Sequence, residues 1–421
     1  MRAIPTFSFW LMLGAAGLGC RPASAQEVME AGPFRLANPR RPRANLPVQI
    51  QRNLLVVSAQ LNGCGPYNFL LDTGVANSIL TSAGLADSLG LHHGQNFRVV
   101  GAGGNDTGLI AYQADSVRVT MPGVIAPNMS WLVLSDDLLD LSGFVGMPIH
   151  GIMGSELFRS FVVALHVEEG NIVLTPPASY KAPRGRHWAT LPLILQNNKA
   201  YIMAPVQLND TLSMLLKLVL DTGASHALSL ELDSDQRLVA PENRLPADLG
   251  RGLSGLVRGF IGRVTTLQLG QFSLHSVLTS FPDAGQVHSR IDVPRNGNIG
   301  YELLKRFSVV IDYPHQRMLL RPNTRFREPF EHDMCGIDLL AFGPDYRYYK
   351  VLRVMPDSPA ALAGLQVDDQ LMSINFQPTT EFSLTELSRM MHSQDGRTLL
   401  IVLRRANGEL FTTVVHLKRQ I

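Results

Sequence analysis

Apolar residues in this chain fall in short runs, and turn residues break each run before a long helix could form. In the first half, NLLVVSAQLNG (53–63), DSVRVTM (115–121) and SWLVLS (130–135) have this character. In the second half, YIMAPVQLN (201–209), RVTTLQLG (263–270) and FSLHSVLTSF (272–281) repeat it. The pattern predicts β-strands. Short helices are expected at SAGLADSLG (82–90) and just after Gly154 and Gly300, where Glu156 and Glu302 would sit in a first turn and suit the helix dipole. Two of the apolar runs, FLL at 69–71 and LVL at 218–220, end directly on Asp72 and Asp221. A carboxylate at the end of a buried strand is costly unless something holds it.

The chain also repeats itself. IMGSELFRSFVVALHVEEGNIVLTPP (152–177) aligns without a gap with NIGYELLKRFSVVIDYPHQRMLLRPN (298–323), matching Gly154 to Gly300, Glu156 to Glu302 and Phe161 to Phe307 at an offset of 146. The two Asp-Thr-Gly triplets lie 149 apart, and QLN occurs at 60–62 and again at 207–209. The reading is therefore two copies of one module, 47–177 and 190–323, joined by a linker at 178–189. Residues 26–46 read as a leader and 324–333 as a second linker, because both are rich in Pro and charge. A third segment, 334–421, follows.

A single Asp-Thr-Gly is a common turn sequence. Two of them at equivalent points of a duplicated module, each after an apolar run, are a stronger signal. With Ile152-Met153-Gly154 and Asn298-Ile299-Gly300 downstream, the arrangement resembles the aspartic proteases of the pepsin and retropepsin clan, here with both lobes in one chain. The resemblance implies a mainly β fold: two acid-protease β-barrel lobes about a pseudo-two-fold axis that brings Asp72 and Asp221 together as catalytic residues. Such a pair shares one proton, takes a proton from a trapped water with one member and donates to the developing oxyanion with the other. Thr73 and Thr222 would hydrogen-bond across the axis, Gly74 and Gly223 would allow close backbone approach, and Gly154 and Gly300 would support the site. Ser225 would brace Asp221, whereas the first lobe offers Val75-Ala76 in place of the Ala224-Ser225 of the second. Glycine clusters at 99–108 and 250–259 read as two flaps, with Gly101, Gly103, Gly104, Gly252 and Gly255 at their tips.

The third segment resembles a bacterial PDZ domain, an α+β fold, chiefly through SPAALAGLQVDDQLMSIN (358–375). The resemblance implies a loop and strand at Gly336, Ile337, Asp338 and Leu339 that would receive a C-terminal peptide; the alternative is a packing module that positions the protease. The helix of this domain is expected at SLTELSRMMHS (383–393).

Composition narrows the rest. Hydrophobic residues make up 45% of the 421 and charged residues 17%, a globular balance. Arg2 precedes the apolar run TFSFWLMLGAAGLG, which is followed by Ala23-Ser24-Ala25, a pattern that reads as a signal peptide over 1–25 and an exported, periplasmic or extracellular protein. The rival reading lipidates Cys20 and tethers the chain to a membrane. Cleavage after Ala25 removes two arginines and no acids, taking the formal charge from +2 to 0, so nucleic acid is not an expected partner. Cys64 and Cys335 form no disulfide framework, and the twelve histidines contain no H-x-x-x-H pattern. No metal or cofactor is expected. The function read from the sequence is an aspartic endopeptidase acting on peptide or protein substrates; the alternative is an inactive relative that binds peptides as a scaffold.

Overall fold

The computed structural model describes residues 30–421 except 100–101, 104–108, 136–138, 253–254 and 288–292. The expected signal peptide, its cleavage site and Cys20 lie outside the described residues. Strands dominate and are gathered into four sheets. A nine-stranded sheet makes the first lobe, an eight-stranded sheet the second, and a six-stranded sheet joins them.

Within each lobe the strand that leads to the aspartate is central. Cys64–Leu71 lies antiparallel to Leu54–Leu61 on one side and parallel to Gly151–Met153 on the other. Ser213–Leu220 lies in the same way between Lys199–Gln207 and Gly297–Ile299. Strands with a neighbour on each side and both faces covered read as continuous apolar runs. Accordingly Phe69, Leu70 and Leu71 are buried, as are Leu218, Val219 and Leu220. Each ladder continues one residue beyond its strand: the Asp72 amide donates to Met153 O (2.9 Å) and the Asp221 amide to Ile299 O (3.0 Å).

The six-stranded sheet carries the symmetry. Its two middle strands, Val162–His166 and Phe307–Asp312, run antiparallel with Ala164 opposite Val310. These residues are 146 apart, the repeat offset itself, so the pseudo-two-fold axis passes between them. One hydrophobic core extends through both lobes, from Phe34 and Leu46 to Leu320 and Phe330.

The leader assignment needs correction. Within 26–46, Arg35–Leu36 pairs with Val124 and Ile125, and Ala44–Pro47 is an edge strand of the joining sheet, opposite Asn171–Leu174. Phe34, Leu36, Ala44 and Leu46 are all buried. The intervening Pro and Arg residues suggested a loose segment, but alternate residues of Ala44-Asn45-Leu46-Pro47 face the core, with the buried–exposed alternation of a half-covered strand. The linkers are also partly built in. Ala189, the last residue of the first linker, pairs with Leu320 at the start of the strand Ala189–Pro192, and in the second linker the backbone oxygens of Arg325, Glu328 and Pro329 accept from the buried Arg306 guanidinium.

The C-terminal segment has its own core and sheet. Its helix, Leu384–Met391, starts with a capping box in which Ser383 and Glu386 satisfy each other's amides. This domain packs against the first lobe. The short helix Leu141–Val145 lies against both the edge strand Ile337–Phe342 and the start of Leu384–Met391: a Cβ on Gly143 would come 2.9 Å from Leu340, and one on Gly146 would come 2.8 Å from Leu384. The Arg52 amide donates to Thr385 Oγ1 (3.0 Å) and its guanidinium to Phe144 O (3.1 Å). Arg353 pairs with Asp248 (2.8 Å) on a hairpin of the second lobe. Cys64 is exposed and Cys335 buried, and both are free thiols.

Gly151 and Gly297 occupy one register position in the two lobes. A Cβ on either would meet a backbone carbonyl, 2.0 Å from Ile79 O and 1.9 Å from Ser229 O. Gly151→Ala and Gly297→Ala should each destabilise by about 1–3 kcal/mol or more, the cost of overpacking a tight core. In Gly84→Ala the new methyl has only the Ser82 hydroxyl within 4 Å, at 3.8 Å, on a helix, and it should be neutral or stabilising. Urea unfolding midpoints for the three variants measure the difference.

Candidate active site

Asp72 and Asp221 lie at the ends of equivalent strands, and the residues after them cross between lobes. The Thr73 amide donates to Thr222 Oγ1 (3.1 Å), and the Thr222 amide donates to Thr73 Oγ1 (3.0 Å). Each hydroxyl then donates to the carbonyl before the opposite aspartate, Thr73 Oγ1 to Leu220 O (2.7 Å) and Thr222 Oγ1 to Leu71 O (2.8 Å). Both side chains are fully buried. A threonine hydroxyl can donate one bond and accept others, and here each does both, so neither polar group is left unpaired.

This network brings the carboxylates face to face. A Cβ on Gly74 would lie 2.9 Å from the Asp221 carboxyl carbon, and one on Gly223 would lie 2.2 Å from that of Asp72. Only glycine leaves room for the opposite carboxylate. The Gly74 amide donates to Asp72 Oδ1 (2.6 Å). Burial first, and the Asp221 charge second, push Asp72 up to about 8, against the opposing pull of the Gly74 amide. Burial and mutual repulsion therefore favour a protonated carboxyl within the pair.

The two halves are not equal. Asn298 Nδ2 donates to Asp221 Oδ2 (2.9 Å), and Asn298 Oδ1 contacts His226 Nε2 (3.1 Å). Ser225, expected to brace Asp221, is exposed, and its backbone carbonyl accepts from Asn53 (3.4 Å). The polar contact on the Asp221 carboxylate comes from the strand beside it instead. In the first lobe the buried Glu156 carboxylate accepts from the Ser78 amide (2.8 Å) and hydroxyl (3.0 Å), and Ser78 Oγ accepts from the Gly154 amide (3.1 Å). Glu156 thus ties the loop after Asp72 to Gly154. Its second-lobe counterpart, Glu302, instead pairs with Lys305 and Arg306. Gly154 and Gly300 lie beneath the two aspartate loops: a Cβ on Gly154 would be 2.9 Å from Val75 O, and one on Gly300 would be 2.1 Å from His226 O.

The glycine clusters end two hairpins. One pairs Asn96–Val99 with Leu109–Met121, the other Arg244–Gly252 with Gly255–Leu269. Gly101 and Gly104 lie outside the described residues. Gly103 donates to Gln286 O (3.0 Å), and a Cβ on Gly252 would be 2.3 Å from Ala102 O, so the tips of the two lobes touch. Gly255 has φ +101°, a conformation suited to glycine.

In the third domain, the loop ahead of the edge strand is already occupied. The amides of Cys335, Gly336 and Ile337 all donate to the carboxylate of Asp333. Burial pushes Asp333 up to about 7 against those three amides. Burial pushes Asp338 up from the ordinary carboxylate range, opposed by the charges of Arg52 and Arg353, and Leu339 points into the domain's core. Asp333, Asn298, His226 and Arg52 were not anticipated from the sequence. Asn298 did leave a signal, as the one polar residue in an otherwise apolar-apolar-Gly pattern. Among the described residues no group of His, Cys, Asp and Glu is placed to hold a metal ion.

Two family models match parts of the chain. Residues 57–157 match the aspartyl protease family model, and residues 350–405 match the PDZ domain. The chain is 26% identical over 117 residues to a carboxyl-terminal-processing protease from Picosynechococcus sp., covering 27% of this chain and 28% of that protein. The match thus spans little more than a quarter of that relative's length. Among solved structures, basic 7S globulin from soybean superposes with a TM-score of 0.37 at 12% identity, over 68% of this chain and 97% of that one. The chain therefore carries an aspartyl protease domain and a C-terminal PDZ domain in one mainly β fold.

Proposed function

We propose that this protein is an exported aspartic endopeptidase that hydrolyses peptide bonds between Asp72 and Asp221. The observation that carries the reading is the buried threonine exchange, which holds two carboxylates face to face at the lobe junction. In the proposed reaction a water between them loses a proton to the ionised carboxylate as its oxygen attacks the peptide carbonyl. The protonated carboxyl, Asp72, donates to the oxygen that becomes tetrahedral. Collapse of that intermediate breaks the C–N bond; the proton taken from water passes to the leaving amine, and one hydroxyl of the gem-diol returns its proton to Asp72 as the carboxylic acid forms. All atoms are supplied by water and substrate, and no covalent enzyme intermediate forms.

The PDZ domain is proposed to regulate rather than only to recruit. Asp333 fills its amide loop, and Leu141–Val145 of the first lobe lies across the edge strand and helix that would flank a bound peptide. The same domain reaches the second hairpin through Arg353 and Asp248. A peptide entering this groove would have to displace the chain's own contacts, and would thereby alter the hold on a hairpin that meets its partner at the tip.

Three outcomes are expected. Asp72→Asn and Asp221→Asn should each abolish cleavage of casein or a quenched peptide, and full turnover in either variant overturns the reading. A pepstatin-sensitive kcat/KM should persist at neutral pH and fall above about pH 8, as Asp72 loses the proton it must donate. Arg353→Ala should speed amide exchange in the 244–269 hairpin by about fivefold at most, in keeping with ~1 kcal/mol for a partly exposed pair, measured by hydrogen exchange with mass spectrometry.

A further inference from the structure

We propose that Asn298, oriented by His226, is a positioning residue that makes the two carboxylates unequal, holding Asp221 as the proton acceptor and leaving Asp72 as the donor. The proposal rests on the aspartic protease reading and adds an assignment of roles within the pair.

The first support is register. Asn298 sits opposite Val219 in the parallel ladder beside the Asp221 strand, and Ile152 sits opposite Leu70 in the equivalent ladder beside the Asp72 strand. The two positions correspond, yet one carries an amide and the other a hydrocarbon. The position next to Asp221 supplies a donor at 2.9 Å, and the position next to Asp72 supplies none.

The second support is the direction of the hydrogen bonds. A primary amide donates from nitrogen and accepts at oxygen. With Asn298 Nδ2 donating to Asp221 Oδ2, Asn298 Oδ1 is left facing His226 Nε2, which must then be the ring nitrogen that carries the proton. Turning the amide over would set its oxygen against a carboxylate oxygen and its NH2 against an N–H, losing both bonds. An N–H donor serves a carboxylate oxygen but opposes an O–H at the same place, so Oδ2 is kept unprotonated. Asp72 Oδ1 is held in the same way by the Gly74 amide (2.6 Å), so the shared proton is left to the other two oxygens, and it is assigned to the Asp72 side, where burial weighs most against a charge and the lobe supplies no side-chain donor.

His226 is suited to this task. Burial lowers its pKa, so at neutral pH it is an uncharged ring with one N–H to give. The charged groups that act on it are Asp221, which favours its protonation, and Arg295, which opposes it. Arg295 is itself paired with Glu231 (2.8 Å). The Glu302 amide bonds the His226 backbone oxygen (3.3 Å), and the Glu302 carboxylate is engaged by Lys305 and Arg306.

The test follows the carboxyl groups directly in the full chain, by 13C chemical shift of labelled aspartate from acid to alkaline pH, with the Asp221→Asn spectrum giving the assignment. Asn298→Ile copies the first lobe into the second and should move the lower titration step of the pair up by about one pH unit, since a hydrogen bond to the charged form is lost. His226→Phe should shift that step in the same direction, whereas His226→Gln, which keeps an N–H donor, should restore it. The acid limb of kcat/KM for peptide cleavage should move with the titration while KM changes little. An unmoved titration step in both Asn298→Ile and His226→Phe overturns the proposal, as does a uniform loss of activity with no displacement of the acid limb. If Asn298→Ile does not fold, His226→Phe against His226→Gln decides the question. A wild-type chain that cleaves no peptide would refute the protease reading, and the carboxyl titration would still decide the role of Asn298.

Discussion

The arrangement of this molecule depends on four hydrogen bonds that Thr73 and Thr222 make across the pseudo-two-fold axis. Both threonines are fully buried, so breaking one bond strands a polar group in a place water does not reach. Because each amide and hydroxyl of one lobe needs the other lobe for its partner, the lobes have a single docked geometry at this point. That geometry sets the distance between carboxylates and leaves room for nothing larger than glycine at 74 and 223. The continuous core and the joining sheet around Ala164 and Val310 supply the apolar burial that keeps the junction dry.

Duplication produced a symmetric frame, and the side chains around it break the symmetry. Asp72 receives the Gly74 amide, and Val75 and Ile152 of its lobe are packed into an apolar cluster, while Asp221 is reached by Asn298 and, through it, His226. Two equal carboxylates would share a proton without preference. Their surroundings are unequal at little cost to the frame, because the difference is carried by side chains on strands whose backbone pairing is the same in both lobes. The third domain adds a further asymmetry, since it touches the first lobe at Leu141–Val145 and the second at Asp248.

Much of the fold was legible because it is local. Runs such as Leu54–Leu61 and Lys199–Gln207 announce strands by their composition, and the helices at Ala83–Ser88 and Leu384–Met391 carry serine caps three residues before the amide they receive. The resemblance to aspartic proteases and to PDZ domains likewise rests on contiguous motifs. Ala44–Pro47 was not legible, because its partner Asn171–Leu174 lies more than a hundred residues away and its proline and neighbouring arginines suggest a loop. Asp333 was hidden for a related reason: an acid in a proline-rich stretch gives no sign that three amides will close around it.

The sequence by itself determined the duplicated β modules, the paired Asp-Thr-Gly turns and the appended third domain, because repeats and short motifs are written in adjacent residues. Only the tertiary structure decided how the two aspartates differ. It moved the support of Asp221 from Ser225, four residues along the chain, to Asn298 on the neighbouring strand. It also filled the amide loop of the third domain with the chain's own carboxylate. Both outcomes depend on which donors lie within reach of a buried charge: for Asp221 strand register brings Asn298 across the sheet, and for Asp333 the fold of the loop turns three nearby amides inward, and a linear pattern contains neither.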